Sequence, residues 1–244
     1  GEEDQKQKYQ KLQPQQKNQQ SKPQEQQPTG EFGTFPNGEP RRMPQPTNAS
    51  GEPKEDLGKL VLTFGRFNPP TIGHKKLLDQ ARKVAGKDGS LRIYPSRSHD
   101  AKKNPLEPGE KIETMKQMYP DHSDNVVNDP NVKTIFDALK QAHQDGYTEI
   151  EIVVGGDRVS EFDKMSSSYN GKIYDYQNIS TTSAGDRDPD AEGVEGMSAS
   201  KMREAAKNND FNTYKSGLPD HIDDKTAKNM MNTVRKRMNV EEDL

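Results

Sequence analysis

The stretch Leu60-Val61-Leu62-Thr63-Phe64-Gly65-Arg66-Phe67-Asn68-Pro69-Pro70-Thr71-Ile72-Gly73-His74 decides how the chain is read. Leu60 to Phe64 is a short apolar run ending at a glycine, the pattern of a buried strand. Two prolines stiffen the loop from Gly65 to Ile72. A helical pattern from about Gly73 to Ala85 follows, with Leu77, Leu78, Ala81, Val84 and Ala85 along one face. Strand, loop and helix in that order open a parallel sheet. The loop then lies at the carboxyl end of its strand, where open α/β sheets bind their ligands.

The same alternation runs outward from this unit. Leu91 to Tyr94 predicts a second strand, and Gly109 to Tyr119 a helix with Ile112, Met115, Met118 and Tyr119 at three- and four-residue spacing. A short strand is expected near Val126-Val127 and a helix over Val132 to Gln144. Glu149 to Val154 is a strong strand ending in Gly155-Gly156-Asp157-Arg158, and Lys172 to Ile179 a weaker one. Helices near Ser200 to Lys207 and Ile222 to Met238 close the chain. The expected class is α/β: a Rossmann-like parallel sheet with helices on both faces over residues 57–244, with a C-terminal helical segment from about 198.

Composition separates this domain from what precedes it. Of 244 residues only 27% are hydrophobic and 31% are charged, with a mean hydropathy of −1.21. An ordinary domain is about half apolar. The shortfall is concentrated in residues 1–56, which are nearly devoid of Val, Ile and Leu and carry the glutamine pairs Gln15-Gln16, Gln19-Gln20 and Gln26-Gln27. Such a segment has little to offset the entropy of ordering. It is read as a disordered Gln/Pro-rich tail, a tether or adhesive arm for a protein partner, with no catalytic residues.

Other classes fall away on the same grounds. No apolar run approaches the roughly 20 residues of a membrane span. The absence of cysteine excludes disulfides, thiolate catalysis and Cys-ligated zinc, and favours the cytoplasm. Lys+Arg 36 against Asp+Glu 39 gives a net charge of −3, too balanced for bulk nucleic-acid or membrane binding. An anionic ligand must therefore be held locally. His122, His143 and His221 lie in polar contexts, read as exposed and without ligand spacing, and no metal site is expected. The acidic run Asp186 to Glu195 lacks EF-hand spacing and reads as a solvated connection.

Two loops can supply a local anion site. Gly65 and Gly73 permit close backbone approach, and Arg66, Thr71 and His74 crowd donors at a helix N-terminus. A lone histidine in that position would read as a cap; beside Arg66 and Thr71 it reads as a phosphate donor. The second loop is Gly196-Met197-Ser198-Ala199-Ser200-Lys201-Met202-Arg203, where Arg203 shares a helical face with Ser200. Ser198 or Ser200 alone would be a plain N-cap. Asp157, after two glycines, reads equally as a turn residue or as a ribose or water contact.

Thr71-Ile72-Gly73-His74 and Met197 to Arg203 together resemble the nucleotidyltransferase superfamily that carries an (H/T)xGH loop after its first strand and a late serine-rich motif ending in arginine. Ser96-Arg97-Ser98-His99 through Asn104-Pro105-Leu106, followed by Gly109-Glu110-Lys111, is similar to the corresponding loop of archaeal-type nicotinamide mononucleotide adenylyltransferases, a branch that Gly65-Arg66-Phe67 also fits. The resemblance spans about residues 58–215 and extends to phage-encoded relatives.

The resemblance implies a cytidylyltransferase-like fold and transfer of AMP from ATP to a small phosphorylated acceptor, nicotinamide mononucleotide (NMN) first, by direct in-line attack with release of pyrophosphate. It implies His74, Thr71 and Arg203 as catalytic residues. Gly65, Arg66, Phe67, Gly73, Ser198, Ser200 and Asp157 would bind the nucleotide, with Ser98, His99 and Asn104 on the acceptor side. Magnesium would accompany ATP. The chain lacks tryptophan, a residue that often stacks on nicotinamide in this branch, and Thr71 replaces the first histidine of the motif. Self-association is left open. The alternative is a catalytically silent nucleotide-binding module serving as a structural or virion-associated phage protein, with Gly1 compatible with proteolytic maturation.

Overall fold

The computed structural model describes residues 36–38, 42–185 and 197–240. The run Asp186 to Glu195 and most of the glutamine-rich segment lie outside these residues. Four strands, β1 (Lys59–Gly65), β2 (Ser90–Pro95), β3 (Glu149–Val154) and β4 (Asn178–Ser183), form one sheet in the order β2-β1-β3-β4. Every pairing is parallel, with Val61 opposite Leu91, Leu60 opposite Ile150 and Ile152 opposite Thr181. The chain leaves β1 toward β2 and returns to β1's other side as β3, so strand order reverses between β1 and β3. In open α/β sheets ligands bind at the carboxyl ends beside such a reversal.

Seven helices connect and close this sheet among the described residues: α1 (Ile72–Ala85), α2 (Pro108–Met118), α3 (Ile135–Asp145), α4 (Val159–Ser168), α5 (Ala199–Lys207), α6 (Phe211–Ser216) and α7 (Asp224–Arg237). Local chemistry fixes their starts. Thr134 caps α3 by accepting from Asp137 N at 3.2 Å, while Asp137 Oδ2 accepts from Thr134 N at 2.9 Å. Such a box satisfies two otherwise orphaned amides. Gly146 ends α3 in the left-handed conformation at φ 112°.

Because side chains alternate along a strand, the sheet feeds two cores. Val61, Leu91, Ile93 and Val153 face Leu78 and Ala81 of α1, Ile112 and Met115 of α2, and Met202, Met231 and Val234 of the C-terminal helices. Leu60, Leu62, Ile150 and Ile152 are buried on the opposite side, where Phe136, Leu139, Phe162, Tyr174 and Tyr176 are also buried. Helices on both faces of a parallel sheet make this a Rossmann-like fold.

Three elements differ from the sequence reading. Val126-Val127 forms one bridge to Ile93 rather than a strand, because the short 3-10 turn Pro120–Asn125 leaves only a residue or two extended. The strand expected over Lys172 to Ile179 begins at Asn178. Asn170 brackets Tyr176, accepting from its N at 2.8 Å and donating to its O at 3.0 Å, so these groups are satisfied without a ladder. The helices α4 and α6 carried no sequence expectation.

Residues 42–56, read with the tail, pack with the domain. The compact unit begins at Arg42. Arg42 pairs with Asp175 at 3.2 Å, Met43 N donates to Asp175 Oδ2 at 3.1 Å and Lys54 Nζ donates to Gln144 O at 2.5 Å. His122 and His143 are likewise buried rather than exposed, His122 bonding Asp79 at 2.7 Å.

Candidate active site

The loop after β1 is shaped by its own residues. Phe67, buried, adopts φ 48°, a left-handed conformation that is costly for a bulky side chain. Its ring crowds the position of a Cβ at Gly65, which would stand 3.0 Å from Phe67 Cε2. That ring meets the His74 imidazole edge-on with centroids 5.0 Å apart. The Asn68-Pro69 bond is cis.

Thr71 and His74 form a reciprocal cap at the start of α1. His74 N donates to Thr71 Oγ1 at 3.3 Å, and Thr71 N donates to His74 Nδ1 at 3.0 Å. With Nδ1 accepting, the neutral ring carries its proton on Nε2, which makes the histidine a hydrogen-bond donor at a helix N-terminus. Tyr119, fully buried, donates its hydroxyl to Thr71 O at 2.5 Å, and burial keeps that phenol protonated well above the ordinary tyrosine range.

The late motif meets this loop directly. Thr71 Oγ1 donates to Met197 O at 3.1 Å, and a Cβ on Gly73 would lie 2.9 Å from the same carbonyl. Only glycine allows α1 to approach that closely. Ser198 caps α5 by accepting from Lys201 N at 3.1 Å. Arg203 reaches back across more than a hundred residues, donating to Asn68 O at 2.8 Å and to Ser200 Oγ at 3.1 Å. Burial and the neighbouring Arg66 guanidinium lower its pKa, while Asp100 opposes them.

Asn68 ties in a third loop. Its amide donates to Leu106 O at 3.0 Å and accepts from Leu106 N at 2.8 Å, so the residue joins the β1 loop, the loop after β2 and, through its carbonyl, Arg203. Asp100 organises that second loop. Burial opposes its charge, but hydrogen bonds from Lys103 N, Asn104 Nδ2 and Lys102 N outweigh it and hold the carboxyl down at about 2. Asn104 is buried, with an Oδ1 that no described residue satisfies; Ser98 is half-buried and His99 exposed. At the base of the loop Lys111 of α2 donates to Ser96 O at 2.5 Å, and Ser96 N donates to Gly65 O at 2.7 Å.

The structure thus joins Gly65, Phe67, Thr71, Gly73, His74, Ser200 and Arg203 through direct contacts, brings Ser198 in as the cap beside Met197, and joins the Ser98 to Asn104 loop through Asn68. Arg66 lies close enough to influence Arg203. Asp157 is exposed beyond β3, and no described contact ties it to the others. Sequence reasoning gave no site role to Asn68 or Tyr119, nor to Ser96 and Lys111 although both stand in the stretch that carries the resemblance, since such residues carry no signal of their own until their partners are known. A cavity of about 140 Å³ lined by Arg42, His143, Thr148 and Asp175 lies at the amino ends of β3 and β4 and takes no part in this site.

Residues 62–205, more than half of the chain, match a family model described as cytidylyltransferase-like. The chain belongs to the cytidylyltransferase-like family. Thr71-Ile72-Gly73-His74 and Met197 to Arg203 both fall within the matched residues, as the superfamily resemblance implies. The cytidylyltransferase-like domain is also similar to a solved structure from Vibrio parahaemolyticus described as a nicotinate-nucleotide adenylyltransferase. The two are 16% identical, with a TM-score of 0.45, covering 72% of this chain and 99% of that one. No curated protein matches the sequence.

Proposed function

We propose that the protein transfers AMP from ATP to a small phosphate-bearing acceptor, NMN being the first candidate, and releases pyrophosphate. The observation that carries this reading is the junction of the two motifs: Thr71 Oγ1 on Met197 O and Arg203 on Asn68 O set two helix N-termini and their donors beside one another. Amides, an imidazole N–H, hydroxyls and guanidiniums gathered at the switch point suit a polyphosphate.

In this scheme the acceptor phosphate attacks the α-phosphorus in line, the bond to the β-phosphate oxygen breaks, and pyrophosphate leaves. His74 Nε2–H and the N-terminus of α1 stabilise charge developing near the transferred phosphorus. Arg66, Ser200, Arg203 and the N-terminus of α5 hold the leaving phosphates. Ser198 keeps that terminus formed, and Ser98, His99 and Asn104 face the acceptor. The protein contributes positioning and preorganised charge, with no covalent intermediate. These groups are donors rather than carboxylates, so magnesium belongs with the nucleotide as a counter-ion on its phosphate oxygens and water.

The test is pyrophosphate release from ATP, CTP and GTP, each against NMN, nicotinate mononucleotide, phosphopantetheine, FMN and glycerol phosphate, with His74→Ala as blank. Release with ATP and NMN above the blank supports the reading. Release only with another pair reassigns the substrate. No release, with MgATP binding also absent, removes it.

A further inference from the structure

Lys111 is a fully buried cation without an anion. Its Nζ donates to Ser96 O at 2.5 Å and to Ser96 Oγ at 3.3 Å, and no carboxylate pairs with it among the described residues. The nearby carboxylates of its helix and cap turn elsewhere: Glu107 and Glu110 pair with Arg237 at 3.1 Å and 2.7 Å, and Glu113 is exposed. In the loop after β2, Asp100 is engaged by Lys102 N, Lys103 N and Asn104, while His99 lies near Glu110. The charges that act on Lys111 are Arg97, adjacent to Ser96, and Arg66 on the β1 loop, both of its own sign.

An ammonium withdrawn from water beside two guanidiniums is disfavoured in its charged form. Burial first, then Arg97 and Arg66, bring Lys111 down to about 7. Arg66 belongs to the nucleotide site assigned above, so an anion settling against it offsets the repulsion that acts on Lys111, whereas Arg97 donates to Asn128 Oδ1 at 2.9 Å. Among the described residues, the group tied to Nζ is Ser96, whose N–H holds Gly65 O at the end of β1.

We infer that Lys111 is a positioning residue that takes up a proton as the substrate's phosphates settle against Arg66, strengthening its hold on the Ser96 carbonyl. The inference rests on the proposed nucleotide function. The proton comes from the buffer, Nζ passes from amine to ammonium, and no other bond changes. An arginine in this place would stay charged at every working pH.

The experiment is calorimetric titration of the full chain with MgATP at pH 6 and pH 8, each in two buffers of different ionisation enthalpy, which counts protons taken up. A nearby opposite charge raises an amine by about 1–3 pK units, giving an uptake of about 0.4–0.9 proton at pH 8 and about 0.1 at pH 6. Lys111→Arg, permanently charged, and Lys111→Met, never charged, should bind MgATP without this uptake. If Lys111→Met does not fold, the wild-type contrast between the two pH values and Lys111→Arg carry the test. Binding without uptake at pH 8 overturns the inference alone. Uptake that persists in either variant belongs to another group and overturns it too. No MgATP binding by the wild type overturns the nucleotide reading and this inference with it.

Discussion

Replacing Thr71 by valine removes one hydroxyl and leaves the shape unchanged, so its effect measures the junction between the two motifs. Thr71 is 1% exposed; its Oγ1 accepts from His74 N at 3.3 Å and donates to Met197 O at 3.1 Å. Loss of a threonine N-cap costs about 1 kcal/mol. Leaving the buried Met197 carbonyl without its donor adds about 1–3 kcal/mol. Together Thr71→Val should destabilise by about 2–4 kcal/mol, which for a domain of this size lowers Tm by about 4–16 °C. The two contacts through Thr71 backbone, N–H to His74 Nδ1 and C=O from Tyr119, survive the change. Thermal and urea melts of wild type, Thr71→Val and Thr71→Ser measure this, with the serine variant within about 1 kcal/mol of wild type since it keeps the hydroxyl. Turnover should fall at least about tenfold in the valine variant at temperatures where it remains folded, because α5 loses its tie to α1; each tenfold is about 1.4 kcal/mol. A valine variant melting within about 1 °C of wild type would show that the hydroxyl does not join the motifs.

The remaining predictions concern the same loops. His74→Ala should retain a cooperative melt and lose about 10²- to 10³-fold in kcat, the usual cost of one preorganised donor; a loss of only a few-fold contradicts its role. Gly73→Ala places a methyl 2.9 Å from Met197 O and should cost about 1–3 kcal/mol in a denaturant melt, unlike Gly109→Ala, whose Cβ meets nothing within 4 Å. Asp100 has a folded pKa depressed to about 2, so its stabilising contribution is complete above the ordinary carboxylate range and is lost as pH falls through that value. The stability gap between wild type and Asp100→Asn should therefore be full at pH 6 and shrink as acid melts are taken from pH 4 toward pH 2. A gap independent of pH would contradict the loop's dependence on that carboxylate.

The order of elements was legible because β1, β2 and β3 each place several apolar residues within a short run and each early helix carries a clear face. β3 reads directly from Ile150-Glu151-Ile152-Val153-Val154, whereas β4, Asn-Ile-Ser-Thr-Thr-Ser, is a polar edge strand, and the signal was drawn to the tyrosines before it. Tyr174 and Tyr176 are core residues of irregular chain, held by Asn170 and by the bond from Tyr176 OH to Leu139 O, which no local pattern encodes. The segment from Arg42 to Asp56 looked like tail because it is polar and rich in proline, yet polar bonds such as Arg42 to Asp175 hold it. His74, Thr71 and Arg203 were legible through motif spacing. The contacts of Asn68 and of Lys111 were not, because they arise only when segments 38 and 15 residues apart close on one another.

The most direct test of the account follows the α-phosphate itself. With ATP labelled at that position and NMN as acceptor, the label should pass into a small dinucleotide product, with pyrophosphate appearing in equal amount and no label on the protein. His74→Ala should transfer at least about 100-fold less. Label retained in ATP with every acceptor tested, although MgATP binds, would contradict catalysis and leave a silent nucleotide-binding module; label bound covalently to the protein would contradict direct transfer.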